Sequence, residues 1–306
     1  METATRTVTI RPTLTALELD HGQTVRIVML DGTHRTLRIL SSSASIHESN
    51  LHPTPPLPPA QPGPHARVIL RMNLHFELDG HHASIVRWVG NQLSFYQPWE
   101  LAGLRLWFDC AASLFDHLAE VHGACRPRRN VRIALQDARL RICPTLLHPF
   151  CPLPQPTLRI QDCYDGYDCW CGAYHGTEAH GGLDINHPAG TPIWAPLTIH
   201  RHGLFNSLAA GDNNNRWRGW HDWPDQSSWR IGVHHIWRLL VPEDQPIEAG
   251  MHIADGAGVW NGTHEHSHFT FGIREPDATE EQIILLDPWI LFWQMYQDRA
   301  ATQSPG

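Results

Sequence analysis

Apolar and polar residues alternate along most of this chain, which is the pattern of half-buried β-strands. The alternation is clear over residues 5–40 and returns over 67–100. Inside each stretch an Asp-Gly pair, Asp31-Gly32 and then Asp79-Gly80, separates two apolar runs and indicates a hairpin turn. The pattern predicts a mostly β protein.

Two stretches break the alternation and predict helices. Apolar residues recur at helical intervals through 104–121. Near the end of the chain, Asp287-Pro288 forms a good N-cap and first helical residue, and it leads into the apolar run WILFWQMYQ. We therefore predict one helix in each half of the chain.

Proline-rich segments divide the sequence. Residues 50–65 predict a long loop or semi-rigid linker, and 144–156 predict a domain boundary. A length of 306 residues also suits two domains of about 150 residues each. We expect a β-rich accessory domain of unreadable role at 1–150 and a second, strand-rich domain at 157–297.

The amino-acid composition limits the classes of binding partner. The chain has 42% hydrophobic and 18% charged residues, a globular balance, and its net charge of −8 without a basic run argues against nucleic acid. No apolar stretch approaches the ~18 residues of a membrane span. The N-terminus shows no signal peptide, so export would need a leader missing from this chain or another route.

Seven cysteines lie between positions 110 and 171. An oxidised protein could pair six of them in three disulfides. We favour a disulfide framework over free thiols. A second metal site is the least favoured alternative, because Cys169-Trp170-Cys171 is too closely spaced for the usual zinc pattern. The pairing stays open.

The chain has 23 histidines, a density that suggests metal binding or acid-base chemistry. In a strand, side chains at even spacing share a face. His180 and Asp184, four apart, would therefore point the same way, and so would His264, His266 and His268. Facing strands would then gather several imidazoles and one carboxylate in a single cavity.

A third piece of the chain contributes adjacent histidines, His234 and His235. Regular alternation predicts that they point to opposite faces. Two imidazoles and a carboxylate suit zinc, which in catalytic sites keeps its fourth position for water and lowers the pKa of that water to roughly 7. Spare histidines would orient the water and stabilise an oxyanion.

Three motifs, in this order, resemble the lysostaphin/LytM-type zinc metallopeptidases. The first is HGGLDINHPAGTPIWAP, similar to that family's His-x-x-x-Asp followed by Pro-x-Gly-Thr-Pro. The second is HIWRLLVPEDQPIEAGMHI, and the third is GTHEHSHFTFGI, similar to the family's His-x-His-Phe strand. The resemblance covers roughly 175–292.

The resemblance implies a site and an activity. By it, His180, Asp184 and His268 would hold one zinc ion, while His235 and His266 would position or deprotonate water and stabilise the oxyanion. It implies an antiparallel β-sheet groove of the duplicated-hybrid-motif type with the zinc on its floor. It also implies hydrolysis of peptide bonds, with peptidoglycan stem or bridge peptides as substrate, and a cell-envelope or extracellular location.

The chain departs from the family pattern in places that bear on specificity. Thr263-His264-Glu265 replaces the usual Gly-Pro, Met251 replaces a Gln, and residues 203–230 replace the usual hairpin region. Tryptophans in this region are either core or an exposed aromatic rim. The candidates for lining a substrate are Trp220, Trp223, His234 and His264.

Two other functions compete with the peptidase. A non-catalytic binding or regulatory module would keep the fold without turnover, although no expected zinc ligand is missing. A cupin-type metal protein is disfavoured because no histidine follows Glu275. The oligomeric state is not readable from the sequence.

Overall fold

The computed structural model describes residues 5–49, 68–122, 125–164, 168–174, 176–206, 214–257 and 266–303. The chain forms two compact units: residues 1–144 together with 171–180, and residues 145–170 together with 181–306. Strands dominate both units, which confirms the predicted mostly β fold. The inclusion of the segment 171–180 in the first unit had no signal in the sequence.

The first unit contains a five-stranded sheet in the order β1-β3-β4-β5-β6, in which β1 and β3 are parallel and the other pairs antiparallel. Both predicted hairpin turns are present, because Gly32 and Gly80 adopt positive φ values of 79° and 82° between paired strands. The strands of this sheet are β1 (Arg6–Thr9), β3 (Thr24–Val28), β4 (His34–Ser49), β5 (Val68–Leu78) and β6 (His81–Val89).

Two smaller sheets complete the first unit. One has the order β2-β10-β8-β7 and the other β11-β12-β9. The strands of the four-stranded sheet are β2 (Thr15–Leu19), β7 (Trp99–Leu101), β8 (Leu104–Ala111) and β10 (Val131–Asp137). Those of the three-stranded sheet are β9 (Ala119–His122), β11 (Ala173–Tyr174) and β12 (Glu178–His180).

The helix predicted over 104–121 is wrong. This segment forms strand β8, a short 3-10 helix at Ala112–Asp116, and strand β9. All eight residues of β8 are buried, so both of its faces carry apolar side chains. A strand buried on both faces loses its alternation, and its apolar residues then fall at helical spacing by coincidence.

The second unit is built on a large antiparallel sheet with the strand order β13-β19-β17-β16-β15. Strand β18 pairs with β14 and β17, and β20 pairs with β19. The strands are β13 (Leu183–Asn186), β14 (Pro192–Trp194), β15 (Arg201–Asn206), β16 (Asn215–Asp222), β17 (Ser228–Leu239), β18 (His252–Gly256), β19 (His266–Arg274) and β20 (Ile284–Leu286).

A C-terminal helix, α1 (Trp289–Gln303), packs its apolar residues into the second unit. The Asp287 carboxylate accepts a hydrogen bond of 2.8 Å from the Trp289 N–H, which confirms the predicted N-cap. Further 3-10 helices lie at Gln92–Ser94, Ile160–Asp162 and Glu280–Gln282. Within the described ranges, no helix is long and apolar enough to span a membrane.

The expected disulfide framework is wrong. All seven cysteines are free thiols, and all seven are buried. A buried cysteine packs as a small apolar group, so a cluster of cysteines in the sequence here reflects core packing.

Candidate metal centre

Three predicted ligands converge in the structure. His180 ends strand β12, and the pairing of β13 with β19 places Asp184 directly opposite His268. One donor atom from each residue lies within 4.8 Å of the other two, and all three side chains are buried. In the described part of the chain, no other His, Cys, Asp or Glu cluster has this geometry.

Backbone hydrogen bonds and a glycine fix the positions of these ligands. The His180 N–H donates to the Gly172 carbonyl at 2.8 Å, and the His180 carbonyl accepts from the Cys171 N–H at 2.9 Å. The His268 ring lies against Gly182, where a Cβ atom would be only 2.3 Å from the ring. A side chain at position 182 is therefore incompatible with this ring position.

The donor set fits a zinc ion. Two imidazole nitrogens and a carboxylate oxygen are the ligands of catalytic zinc sites, where bonds of about 2.0–2.2 Å place tetrahedral donors roughly 3.3 Å apart. His268 Nδ1 and Asp184 Oδ1 are 2.8 Å apart, so a shift of about half an ångström would reach that spacing. A buried carboxylate between two imidazoles also supplies the negative charge that a divalent cation requires.

Two further histidines border this cluster, as the resemblance implied. His266 lies 6% exposed on β19 with its Nε2 3.6 Å from Asp184 Oδ2. The ring of His235 lies 4.7 Å from that of His266 and 6.4 Å from that of His268. The ring of Tyr164 packs on His266 at 4.1 Å. The predicted metal and catalytic residues therefore occupy one place.

A β-bulge brings His235 to this place. Asn215 of β16 pairs with Ile236 and the next residue, Arg216, pairs with His234, so His235 has no partner in β16. His235 also has a left-handed backbone with φ of 62°. Bulges re-aim side chains and are frequent at active sites. The prediction that His234 and His235 point to opposite faces is wrong, because both rings contact the site histidines.

Burial keeps two of these imidazoles neutral. Burial, together with the neighbouring His266, lowers the pKa of His235 to about 3. Burial and the adjacent His268 hold the pKa of His234 well below its usual range. Removing water from a cationic imidazole is unfavourable, which is the cause of both shifts. A neutral ring donates one hydrogen bond through its N–H and accepts one at its other nitrogen.

The four candidates for substrate lining are placed differently. His234 stacks on His268 with ring centroids 4.5 Å apart, whereas His264 lies outside the described residues. Trp223 packs edge-on against the buried Trp229 at 5.1 Å. Trp220 is four positions along β16 from the residue opposite His234, a separation of about 13 Å along the strand. Of the three candidates that the structure describes, only His234 lies against a metal ligand.

Sequence reasoning missed other residues at or behind the site. Tyr164 comes from the cysteine-rich segment and had no pattern to mark it. His187 stands inside the first motif, and its Nε2 lies 2.7 Å from the Ser267 hydroxyl, on the residue between His266 and His268. Burial lowers the pKa of His187 to about 4. The position of His187 inside the first motif was the sequence signal that could have identified it.

Comparison with known proteins found similar chains among solved structures. No protein-family model matches the sequence, and no curated protein matches it. Among solved structures, the chain is similar to the catalytic domain of the antimicrobial peptidase lysostaphin from Staphylococcus simulans, with 16% identity over 48% of this chain and 90% of that chain and a TM-score of 0.29.

Two more solved structures show the same kind of likeness. LytU has 22% identity over 37% of this chain and 71% of that chain, with a TM-score of 0.28. A zinc-containing peptidase from Vibrio cholerae has 12% identity over 89% of this chain and 83% of that chain, with a TM-score of 0.26. Likeness at this level assigns no activity, so function has to be inferred from the geometry of the site.

Proposed function

We propose that this protein is a zinc-dependent metalloendopeptidase that hydrolyses peptide bonds. The observation that carries the proposal is the convergence of His180, Asp184 and His268, which are far apart in sequence or on different strands, within 4.8 Å of one another. Buried donor sets of this composition are uncommon unless they bind a cation, because a lone buried carboxylate is costly.

Zinc, held by these three residues, would polarise the substrate carbonyl and lower the pKa of water. The chain's own groups would perform the remaining tasks. His266, whose Nε2 lies 3.6 Å from Asp184 Oδ2, would orient the attacking water and take up its proton. His235, neutral through burial, would donate its N–H to the oxyanion that develops on the carbonyl.

The substrate class follows from the resemblance to cell-wall peptidases. We propose peptides of small residues, such as peptidoglycan stem or bridge peptides, and a location in the cell envelope or outside the cell. An antiparallel sheet that carries the site on one face suits an extended peptide, which can lie along the strands.

The experiment uses the purified full chain. Elemental analysis should find one zinc per chain, and the zinc form should cleave muropeptides and isolated sacculi, with products followed by mass spectrometry. Chelation should abolish cleavage, and one equivalent of zinc should restore it. His180→Ala and Asp184→Asn should lose both the metal and the activity.

A matched control separates site effects from general damage. His252 is a half-exposed histidine that pairs with Asp255 at 2.8 Å, away from the ligand cluster in the sheet pairing. His252→Ala should keep zinc and activity. Full activity in His180→Ala would refute the mechanism. Zinc and peptide binding without any cleavage by the intact protein would contradict the peptidase and favour a binding module.

A further inference from the structure

One face of the large sheet carries two of the three candidate metal ligands, Asp184 and His268, and also a line of arginines. Strand register places four residues in a single cross-strand row: Asp184 opposite His268, His268 opposite His234, and His234 opposite Arg216. Directly paired residues project from the same face of a sheet. Arg216 therefore shares the face of the metal site.

The next rows on this face add two more arginines. Two positions along the strands, Arg218 pairs with Gly232, and four positions along, Trp220 pairs with Arg230. At about 3.3 Å per residue, these rows lie roughly 7 and 13 Å from the row of His268. We call Arg216, Arg218 and Arg230 the arginine face.

Side-chain contacts connect the arginine face to the site. The Arg218 guanidinium lies 3.6 Å above the centre of the Phe205 ring. That ring meets His234 edge-on at 5.4 Å, and His234 stacks on His268 at 4.5 Å. The Arg216 charge also helps to depress the pKa of both His234 and His235. The face and the metal cluster are thus one continuous surface.

Among the described residues these three arginines form no salt bridge, and the Glu280 carboxylate offsets only part of the charge of Arg218 and Arg230. Among the described residues, no Asp or Glu oxygen lies within 4.0 Å of any of them, although the chain carries a net charge of −8. Arg201, at the far end, has Asp222 and Glu280 within 3.6 Å. The Nε of Arg216 is buried and has no hydrogen-bond partner in the described structure.

Desolvation makes this arrangement costly in the free protein. Burial and the neighbouring Arg218 lower the pKa of Arg230 to about 10. Burial also lowers the pKa of Arg218. Partly buried cations outside a salt bridge are unfavourable, Glu280 offsets only part of this cost, and an incoming anion would relieve more of the desolvation and of the mutual repulsion.

We propose that the arginine face binds a carboxylate of the peptide substrate, so that the enzyme prefers peptides with an acidic residue two to four positions from the cleaved bond. This inference rests on the proposed function. Guanidinium groups pair with carboxylates through two parallel hydrogen bonds, which gives both charge and orientation. The distance follows from the rows, since an extended peptide advances by the same rise per residue as the strands beneath it.

Gly232 pairs with Arg218 on one side and with Thr270 on the other. A Cβ at this position would lie 2.3 Å from the Thr270 hydroxyl, so the Thr270 side chain already occupies the space beside this glycine.

The test compares peptides that differ only in one carboxylate. Each substrate peptide carries one Glu, placed between one and six positions from the cleaved bond. Each is compared with a peptide that has Gln at the same position. Calorimetry on the metal-free protein measures binding, and kcat/KM on the zinc form measures cleavage. We expect at least tenfold tighter binding of the Glu peptides at positions two to four, and loss of this preference when salt rises from 50 to 500 mM.

Variants then assign the effect to residues. Arg218→Gln and Arg230→Gln should each weaken binding of the Glu peptide several-fold and leave the Gln peptide and the zinc content unchanged. Arg159→Gln is the control, because this exposed arginine is already paired with Asp162 at 2.7 Å. It should change neither peptide.

Two outcomes separate this inference from the proposed function. Cleavage of Glu and Gln peptides with equal kcat/KM and equal affinity would overturn the arginine face and leave the peptidase intact. Selective binding of Glu peptides without cleavage would support the face and contradict the peptidase. The comparison of peptides and salt on the unaltered protein needs no variant, so it holds even if a substituted chain fails to fold.

Discussion

Gly182 offers a sharp test of the metal site, because it is not a ligand and yet a ligand rests on it. In Gly182→Ala the new Cβ would lie 2.3 Å from His268 Cε1, 2.4 Å from Nε2 and 2.8 Å from the carbonyl oxygen of Phe269. The last of these atoms belongs to the backbone of the central strand β19 and cannot swing away. The His268 ring must move instead.

The size of the movement sets the size of the effect. Carbon atoms in ordinary contact are about 3.5 Å apart, so the ring has to shift by roughly 1 Å. Metal-ligand distances tolerate about 0.2 Å. We therefore expect His268 to be lost as an effective ligand in this variant. Zinc affinity should fall at least 10- to 100-fold, or about 1.4–2.8 kcal/mol, which is the loss typical of removing a group that holds a metal ligand in position.

Competition with a zinc-binding dye measures the affinity, and circular dichroism follows the fold. Gly272→Ala is the matched control, on the strand of His268, since its Cβ would meet Ile283 at 2.7 Å and Leu285 at 2.9 Å but no ligand. That variant should lose stability and keep its zinc affinity. Unchanged zinc affinity in Gly182→Ala, in a folded protein, would show that His268 does not bind the metal in this position.

Three other outcomes follow from the structure. His235→Gln should keep one zinc per chain, measured by elemental analysis, while kcat falls at least 100-fold; loss of zinc instead would make His235 a ligand. Asp109→Ala should lower the free energy of unfolding by about 3–5 kcal/mol in urea titrations, because it removes the carboxylate that lies 2.5 Å from Nε of the buried Arg132. A change under 1 kcal/mol would contradict this. In the metal-free protein, His187 has a pKa of about 4 in the folded chain, against 6.5 in the unfolded chain. Between these pH values the unfolded chain binds more protons, so the free energy of unfolding should fall by up to about 3 kcal/mol as the pH drops from 6.5 towards 4. His187→Asn should flatten this pH dependence, and an unchanged slope would refute the assignment.

Local sequence patterns predicted much of the fold. The Asp-Gly turns, the N-cap at Asp287 and the general β character all appear in the structure, because each depends on the conformational preferences of a few adjacent residues. The segment 104–121 shows where such patterns fail. Whether a strand is covered on one face or both depends on neighbours distant in sequence, and that coverage decides its apolar pattern.

The candidate site divides in the same way. Residue types and spacing suggested that these side chains meet in one cavity, the resemblance implied their roles, and the structure gathers His180, Asp184, His266 and His268. His180 and Asp184 do not share a strand face as their spacing predicted, because His180 ends β12 and Asp184 lies on β13. Strand alternation alone predicted wrongly that His234 and His235 point to opposite faces. The bulge at His235 arises only from the register shift in the pairing of β16 with β17.

The sequence by itself determined which chemical groups were on offer: imidazoles and a carboxylate at strand-compatible intervals, and segments that favour extended backbone. Only the tertiary structure decided which groups meet, which thiols are buried, and that three arginines share a sheet face with two of the metal ligands. The physical reason is that side-chain alternation is a property of one strand, whereas register, burial and charge pairing are properties of several strands packed together.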